Sequence, residues 1–148
     1  MREFKATSLR PISLFLAGGI TDCPDWQAEM VESLKDLEIN LYNPRRTNWV
    51  YGVDSLEEQV KWEHEALREA DAILFWFPSE TLCPITLFEL GAMTMTNKII
   101  FVGVSPEYKR VRDIEVQLKL VRPDIPIHYT LETLTEHIKD WYMILNNL

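Results

Sequence analysis

The 148-residue chain is poor in the side chains from which metal and disulfide sites are built. It has two cysteines, Cys23 and Cys83, which form no Cys-x-x-Cys pair, and three histidines, His64, His128 and His137, scattered along the sequence. Residues 64–68 read HEALR rather than His-Glu-x-x-His. A zinc site and a disulfide framework therefore have no support. No metal and no tightly bound cofactor are expected, and a reducing cytoplasm is the expected setting. Glycine is also scarce, and its five copies make neither G-x-G-x-x-G nor a Walker loop ending in Gly-Lys-Ser/Thr. Long apolar runs are missing too, so no membrane span is expected. The N-terminus has some look of a secretion signal, with Arg2, Lys5 and Arg10 before ISLFLA, but Gly18-Gly19 and Asp22 cut the apolar run short. A strand entering a tight loop explains it better. Positive charge is in deficit, 15 Lys and Arg against 23 Asp and Glu for a net charge of -8. Such a chain does not attract a nucleic-acid polymer. A small anion remains possible where local positive charge surrounds it.

What is present reads as an ordinary globular chain, 47% apolar and 26% charged, long enough for one full-sized core over residues 1–148 with a loose lead-in at 1–10. ISLFLA (12–17), INLY (39–42), AILFWF (72–77) and KIIFVGV (98–104) are short continuous apolar runs, the pattern of strands buried on both faces. A short fifth strand is expected at IPIHY (125–129). Between the strands, helices are expected from Pro24-Asp25 to about Leu37, from Leu56 to Ala70, from Pro84 to about Thr96 and from Glu107 to Val121. A last helix carries Leu131, Leu134, Ile138, Trp141 and Leu145 at 3,4,3,4 spacing. Five β-α units with right-handed crossovers imply an α/β fold, a flavodoxin-like or Rossmann-like five-stranded parallel sheet with helices on both faces.

Ligands of such sheets bind at the carboxyl ends of the strands. The loops there are 18–25, 43–54, 78–84 and 103–107. Gly18 and Gly19 let backbone approach a ligand or simply make a tight turn. Arg45 and Arg46 are suited to pair a phosphate or hold a carboxylate, though a plain exposed loop fits equally well. Trp49, Tyr51, Trp76 and Phe77 are available to stack on a base or belong to the core. Lys109, Arg110 and Arg112 suit a solvated or subunit face.

Two acids stand out. Residues 54–71 hold seven acids against Lys61 and Arg68, and six of them suit a solvated helix face. The exception is Glu63, which falls on the stripe Leu56, Val60, Glu63, Leu67, Ala70 and is expected to face inward. Glu89 is the only charged residue between Thr81 and Asn97, and it stacks with Ile85 and Met93 on an apolar helix. Burying a carboxylate is costly unless it is paired or used. Two such acids suit glycosidic-bond chemistry, one attacking or stabilising an anomeric carbon and the other assisting the leaving group.

The motifs LAGGI, YNPRR, WEHEALREADAILFWFP and PITLFELGAM, in this order over about residues 11–140, resemble the nucleoside 2-deoxyribosyltransferase family, especially its compact bacterial and fungal branch, and its relatives that hydrolyse 2′-deoxynucleoside 5′-phosphates. The resemblance implies a flavodoxin-like fold and a double displacement. The glutamate of the ELG motif, Glu89, attacks C1′ of a 2′-deoxynucleoside or its monophosphate, the free base leaves, and another base or water resolves the deoxyribosyl-enzyme. Glu63 handles the proton on the base, and Asp71 makes a helix-to-strand turn. Gly18, Gly19, Ile20, Asp22, Asn43 and Arg45 are expected to line the substrate pocket, and Phe77 is counted among the substrate-binding candidates. Better-known members carry glycines at the positions of Ile85 and Leu87 and Asp or Ser at that of Cys83, so Thr86 or backbone near Pro84 is expected to take over sugar contacts. Partners implied are a nucleoside or nucleotide, a free base, and further copies of the chain in a homodimer or larger assembly whose sites are completed across subunits. Two competing readings remain: a non-catalytic nucleotide-binding or sensor domain on the same fold, and a flavodoxin-type electron carrier, which requires bound flavin.

Overall fold

The computed structural model describes residues 11–45 and 55–146. Within them the chain alternates β1 (Ile12–Gly18), α1 (Trp26–Leu34), β2 (Ile39–Tyr42), α2 (Leu56–Glu69), β3 (Ala72–Phe77), α3 (Pro84–Thr94), β4 (Ile99–Val104), α4 (Val111–Val121), β5 (Ile127–His128) and α5 (Leu131–Leu145). All strand pairs are parallel and the sheet order is β2-β1-β3-β4-β5. This is the flavodoxin-like α/β order expected from the apolar runs.

Side chains of the central strands alternate between two apolar layers, as the period of two requires. Phe15, Ala17, Ile73, Phe75, Phe77, Ile100, Val102 and Val104 share a core with α2, α3 and α4. Leu14, Leu16, Ala72, Leu74, Trp76 and Phe101 pack with α1 and α5 on the other face. Capping is local and readable. Asp25, Ser55 and Thr130 each accept a backbone N–H from the first turn of α1, α2 and α5. Asp71, between α2 and β3, accepts the Ser13 N–H at 2.8 Å and the Ser13 hydroxyl at 3.1 Å, while its own N–H donates to Ser13 Oγ at 3.0 Å. That exchange ties the start of β3 to β1, the turn role expected of Asp71.

The structure corrects three boundaries and one stripe. The helix expected from Glu107 begins at Val111, because residues 105–110 form turns closed by Tyr108 N–H to Ser105 O and Val111 N–H to Tyr108 O. Tyr108 is thereby buried, its hydroxyl donating to Leu82 O at 2.6 Å. The fifth strand shrinks to two residues, and α1 stops at Leu34 rather than Leu37. On α2 only the C-terminal part of the stripe reaches the core: Leu67 and Ala70 are buried, while Leu56 is 76% and Val60 53% exposed.

Trp76 sits between two glycines across the sheet, Gly18 on β1 and Gly103 on β4. A Cβ on Gly18 would lie 2.4 Å from Trp26 Cζ2 and 2.5 Å from the Trp76 carbonyl oxygen. A Cβ on Gly103 would meet Trp76 Cε3 at 2.7 Å and Leu134 Cδ2 at 2.8 Å. The first clash includes backbone and the second only side chains. Gly18→Ala is therefore expected to destabilise at the upper end of the ~1–3 kcal/mol typical of overpacking, and Gly103→Ala less. Denaturant melts of the two variants check the order.

Candidate active site

The site is built on α2 and α3. Helix α3 starts on Pro84, whose missing N–H costs nothing at a first helical position. Before it, Cys83 takes the left-handed conformation, φ 51° and ψ 56°, and makes no side-chain cap. A non-glycine residue is strained there. The kink carries the chain from β3 into a helix with no ionisable side chain except Glu89. Glu89 is half-buried, and its carboxyl is pushed up to about 7, first by burial and second by the charge of Glu63. Both inward acids expected from the sequence are thus brought together. The charge of Glu63 disfavours ionisation of Glu89, so Glu89 holds its proton more readily than an isolated glutamate would.

Glu63 is positioned from its own helix. Gln59, one turn earlier, donates through Nε2 to Glu63 Oε1 at 3.0 Å and lies 3.4 Å from Pro44 O. The contact links α2 to the segment after β2. Gln59 Oε1 is buried with no hydrogen-bond partner among the described residues. Sequence reasoning missed Gln59, although its i, i+4 spacing to Glu63 was a usable signal. Trp62, beside Glu63, packs against Phe15 and Tyr42 with ring centroids 6.2 and 6.4 Å away. It is a wall of the core rather than an open stacking surface.

The β1–α1 loop is held by a second missed residue. Gln27 is fully buried. It donates to Gly19 O at 3.3 Å and accepts Arg45 Nε at 2.9 Å. Arg45 Nη2 reaches Pro24 O at 3.1 Å, Gly19 O at 3.4 Å and Cys23 Sγ at 3.6 Å, and Arg45 Nε lies 3.2 Å from an Asp25 oxygen. Arg45 does hold a carboxylate, that of Asp25, but it acts as a clamp on the loop and is not paired with Glu89. Asn43 Oδ1 accepts the Arg45 N–H at 3.0 Å, which sets the turn that aims the clamp. Gly19 earns its place through packing: a Cβ there would meet Pro78 Cγ at 2.9 Å and Cys83 Sγ at 3.0 Å. Its carbonyl also accepts Trp26 Nε1 at 2.9 Å.

The remaining expected residues divide. Ile20 is half-buried in this loop, and Asp22 is exposed with φ 60°. Thr86 is buried in the first turn of α3. Phe77 is a correction: its ring is fully buried and packs on Tyr108 at 5.3 Å, so it has no free face for a base. Trp76 is also buried, while Arg46, Trp49 and Tyr51 lie outside the described residues. Arg110 and Arg112 pair with Asp113 and Glu115 on the exposed side of α4, as a solvated face requires. His128 on β5 and His137 on α5, nine residues apart, meet at 2.9 Å. Among the described residues no group of three or more His, Cys, Asp or Glu is arranged to hold a metal. No helix among them is long and apolar enough to cross a membrane.

Residues 11–108 match the family model described as nucleoside 2-deoxyribosyltransferase like. The chain belongs to this family. The match spans β1 to Tyr108 and so includes the Arg45 clamp, Glu63 and Glu89. No curated protein matches the chain. Membership in a nucleoside 2-deoxyribosyltransferase-like family points to a transferase-type enzyme acting on small nucleosides.

Proposed function

We propose that the protein cleaves the N-glycosidic bond of a 2′-deoxynucleoside, or of its monophosphate, through a covalent intermediate on Glu89, and passes the deoxyribosyl group to another base or to water. The observation that carries this reading is the Glu89 carboxyl, desolvated on an apolar helix and facing the charge of Glu63. Ionised Glu89 forms the bond to C1′ as the bond from C1′ to the base nitrogen breaks. Protonated Glu63 gives its proton to the departing base. As a carboxylate it then takes a proton from the incoming base or water, which displaces Glu89 from C1′. The oxocarbenium character of the transition state is favoured beside two acids of which at least one is ionised.

Gly18, Gly19, Ile20, Asp22, Asn43 and Arg45 frame the pocket in this reading, with Thr86 and the Pro84 backbone below the sugar. The second reading, a non-catalytic nucleotide-binding domain, is favoured by one feature. At the position where better-known members carry Asp or Ser, the Cys83 thiol is pushed up to about 12, mainly by burial, and stays neutral. Product analysis separates the two readings. The protein is incubated with a panel of deoxynucleosides and monophosphates, with and without added free base. New deoxynucleoside indicates transfer, free base and deoxyribose indicate hydrolysis, and no turnover of any substrate favours the binding domain. Glu63→Gln should lower turnover by ~10²-fold or more for poor leaving bases and less for good ones. Equal losses across the panel would remove Glu63 from the proton path. A homodimer or larger assembly belongs to the same proposal.

A further inference from the structure

The start of α3 is set by one strained residue. Cys83 is one of two non-glycine residues with positive φ among the described residues, and the other, Asp22, is exposed. Left-handed backbone is unfavourable for a residue with a Cβ and persists only where the surroundings hold it. Cys83 is held from two sides. From the β1–α1 loop, Gly19 packs so closely that a Cβ on it would meet Cys83 Sγ and Thr81 Cγ2 at 3.0 Å. From the turn after β4, the Tyr108 hydroxyl donates to Leu82 O at 2.6 Å. That carbonyl lies in the peptide plane joining Leu82 to Cys83, and rotation of this plane about the N–Cα bond of Cys83 is its φ. The hydrogen bond therefore holds the very dihedral that is strained. The turn carrying Tyr108 is itself fixed. Ser105 N–H donates to Phe77 O at the end of β3 at 2.9 Å, and Tyr108 N–H to Ser105 O at 2.9 Å. The Tyr108 ring is 2% exposed and lies on Phe77. Burial above all pushes its hydroxyl up to about 12, so it keeps the proton it donates.

We propose that Tyr108 is a positioning residue of the site: its bond to Leu82 O keeps Cys83 left-handed, and so fixes where α3 begins and how deep Glu89 sits on it. The role rests on Glu89 being the nucleophile of the proposed reaction. From Cys83 onward the chain is helical without a break. Leu87 N–H donates to Cys83 O at 3.0 Å, and Glu89 follows Pro84 by about one and a half turns. A helix passes a change at its first residue on to the side chains it carries. The Cys83 side chain makes no cap, so the entry angle of α3 is governed by the Cys83 backbone. Relaxation of Cys83 to negative φ would swing the first turns of α3, bring Glu89 toward water and take it out of line with C1′. A misplacement of about 1 Å in an attacking group costs on the order of 100-fold in rate. Tyr108 touches no reacting atom. It acts through Leu82, Cys83 and the helix.

The test is Tyr108→Phe in the full chain, which keeps the ring and removes only the hydroxyl. Its kcat should fall by about 10-fold or more while KM for a deoxynucleoside changes far less, because aim governs attack rather than binding. A better solvated Glu89 should also titrate lower. For a substrate with a good leaving base, the acid limb of kcat/KM should move from about 7 toward 4.5 by roughly one pH unit or more. The charge that acts on Glu89, that of Glu63 on α2, is left in place, so the move reports burial. NMR of the Glu89 carboxyl carbon, assigned by its loss in Glu89→Gln, reads the same titration without any turnover. Cys83→Gly supplies the second arm. Glycine takes left-handed backbone without strain, so adding Tyr108→Phe to it should move the titration much less than Tyr108→Phe does alone. A Tyr108→Phe protein that melts lower but keeps the wild-type kcat and Glu89 titration is only less stable, and overturns the proposal. An equal move in both backgrounds overturns it too. A wild type that turns over no substrate removes the enzyme reading, and the NMR titrations still decide whether Tyr108 sets the depth of Glu89.

Discussion

Glu89→Gln is expected to lose turnover by on the order of 10³-fold or more, about 4 kcal/mol of barrier, while remaining folded. The amide keeps the shape of the side chain but removes the nucleophile, so no bond to C1′ forms. Glu89→Ala should lose as much. The loss should appear in kcat and kcat/KM together, because the missing interaction exists only on the way to the transition state. Covalent trapping decides which atom attacks. With a 2′-fluorinated deoxynucleoside, whose glycosyl-enzyme is released slowly, peptide mass spectrometry should find the adduct on Glu89. Glu63→Gln should still trap when the leaving base is good, since base protonation is then less needed. An adduct on any other residue refutes the assignment, and full turnover by Glu89→Gln refutes the mechanism.

How much of this was legible in the sequence depended on which contacts a residue makes. The strands were readable because AILFWF and its neighbours are buried on both faces, a condition that continuous apolar runs record directly. Glu89 was readable for the opposite reason, as a lone charge in such surroundings. Contacts made at a distance left no local trace. Arg45 looked equally suited to a phosphate, a carboxylate or solvent, and only the fold brings Gln27, Gly19 and Asp25 to it. Phe77 was misplaced because a strand-end aromatic has the same local pattern whether it faces a ligand or a buried tyrosine. Leu56 and Val60 follow core spacing yet are exposed, since periodicity marks an apolar face without saying what covers it.

The pH dependence of activity and of stability should run in opposite directions through one group. The Glu89 carboxyl is raised from 4.5 to about 7, chiefly by burial and secondarily by Glu63. Attack requires the ionised form. For an uncharged deoxynucleoside with a good leaving base, whose departure does not wait on a proton from Glu63, kcat/KM should rise about tenfold per pH unit up to about pH 7 and then level, leaving about 100-fold less activity at pH 5. For stability, the folded protein holds this proton more tightly than the unfolded chain does. The contribution is complete below the unfolded value of 4.5 and is lost as pH rises through about 7, an effect on the order of 3 kcal/mol. Glu89→Gln mimics the neutral acid at every pH. It should match the wild type near pH 5 and exceed it in denaturant melts at pH 8 by most of that amount. Glu63→Gln removes only the smaller of the two causes, so its activity limb should shift to lower pH but stay above that of an ordinary glutamate. Profiles of kcat/KM from pH 4.5 to 9, with melts at pH 5 and 8, test all three points. A limb near 4.5 in the wild type, or a Glu89→Gln protein no more stable than the wild type at pH 8, would mean that Glu89 is well solvated and that burial does not tune the nucleophile.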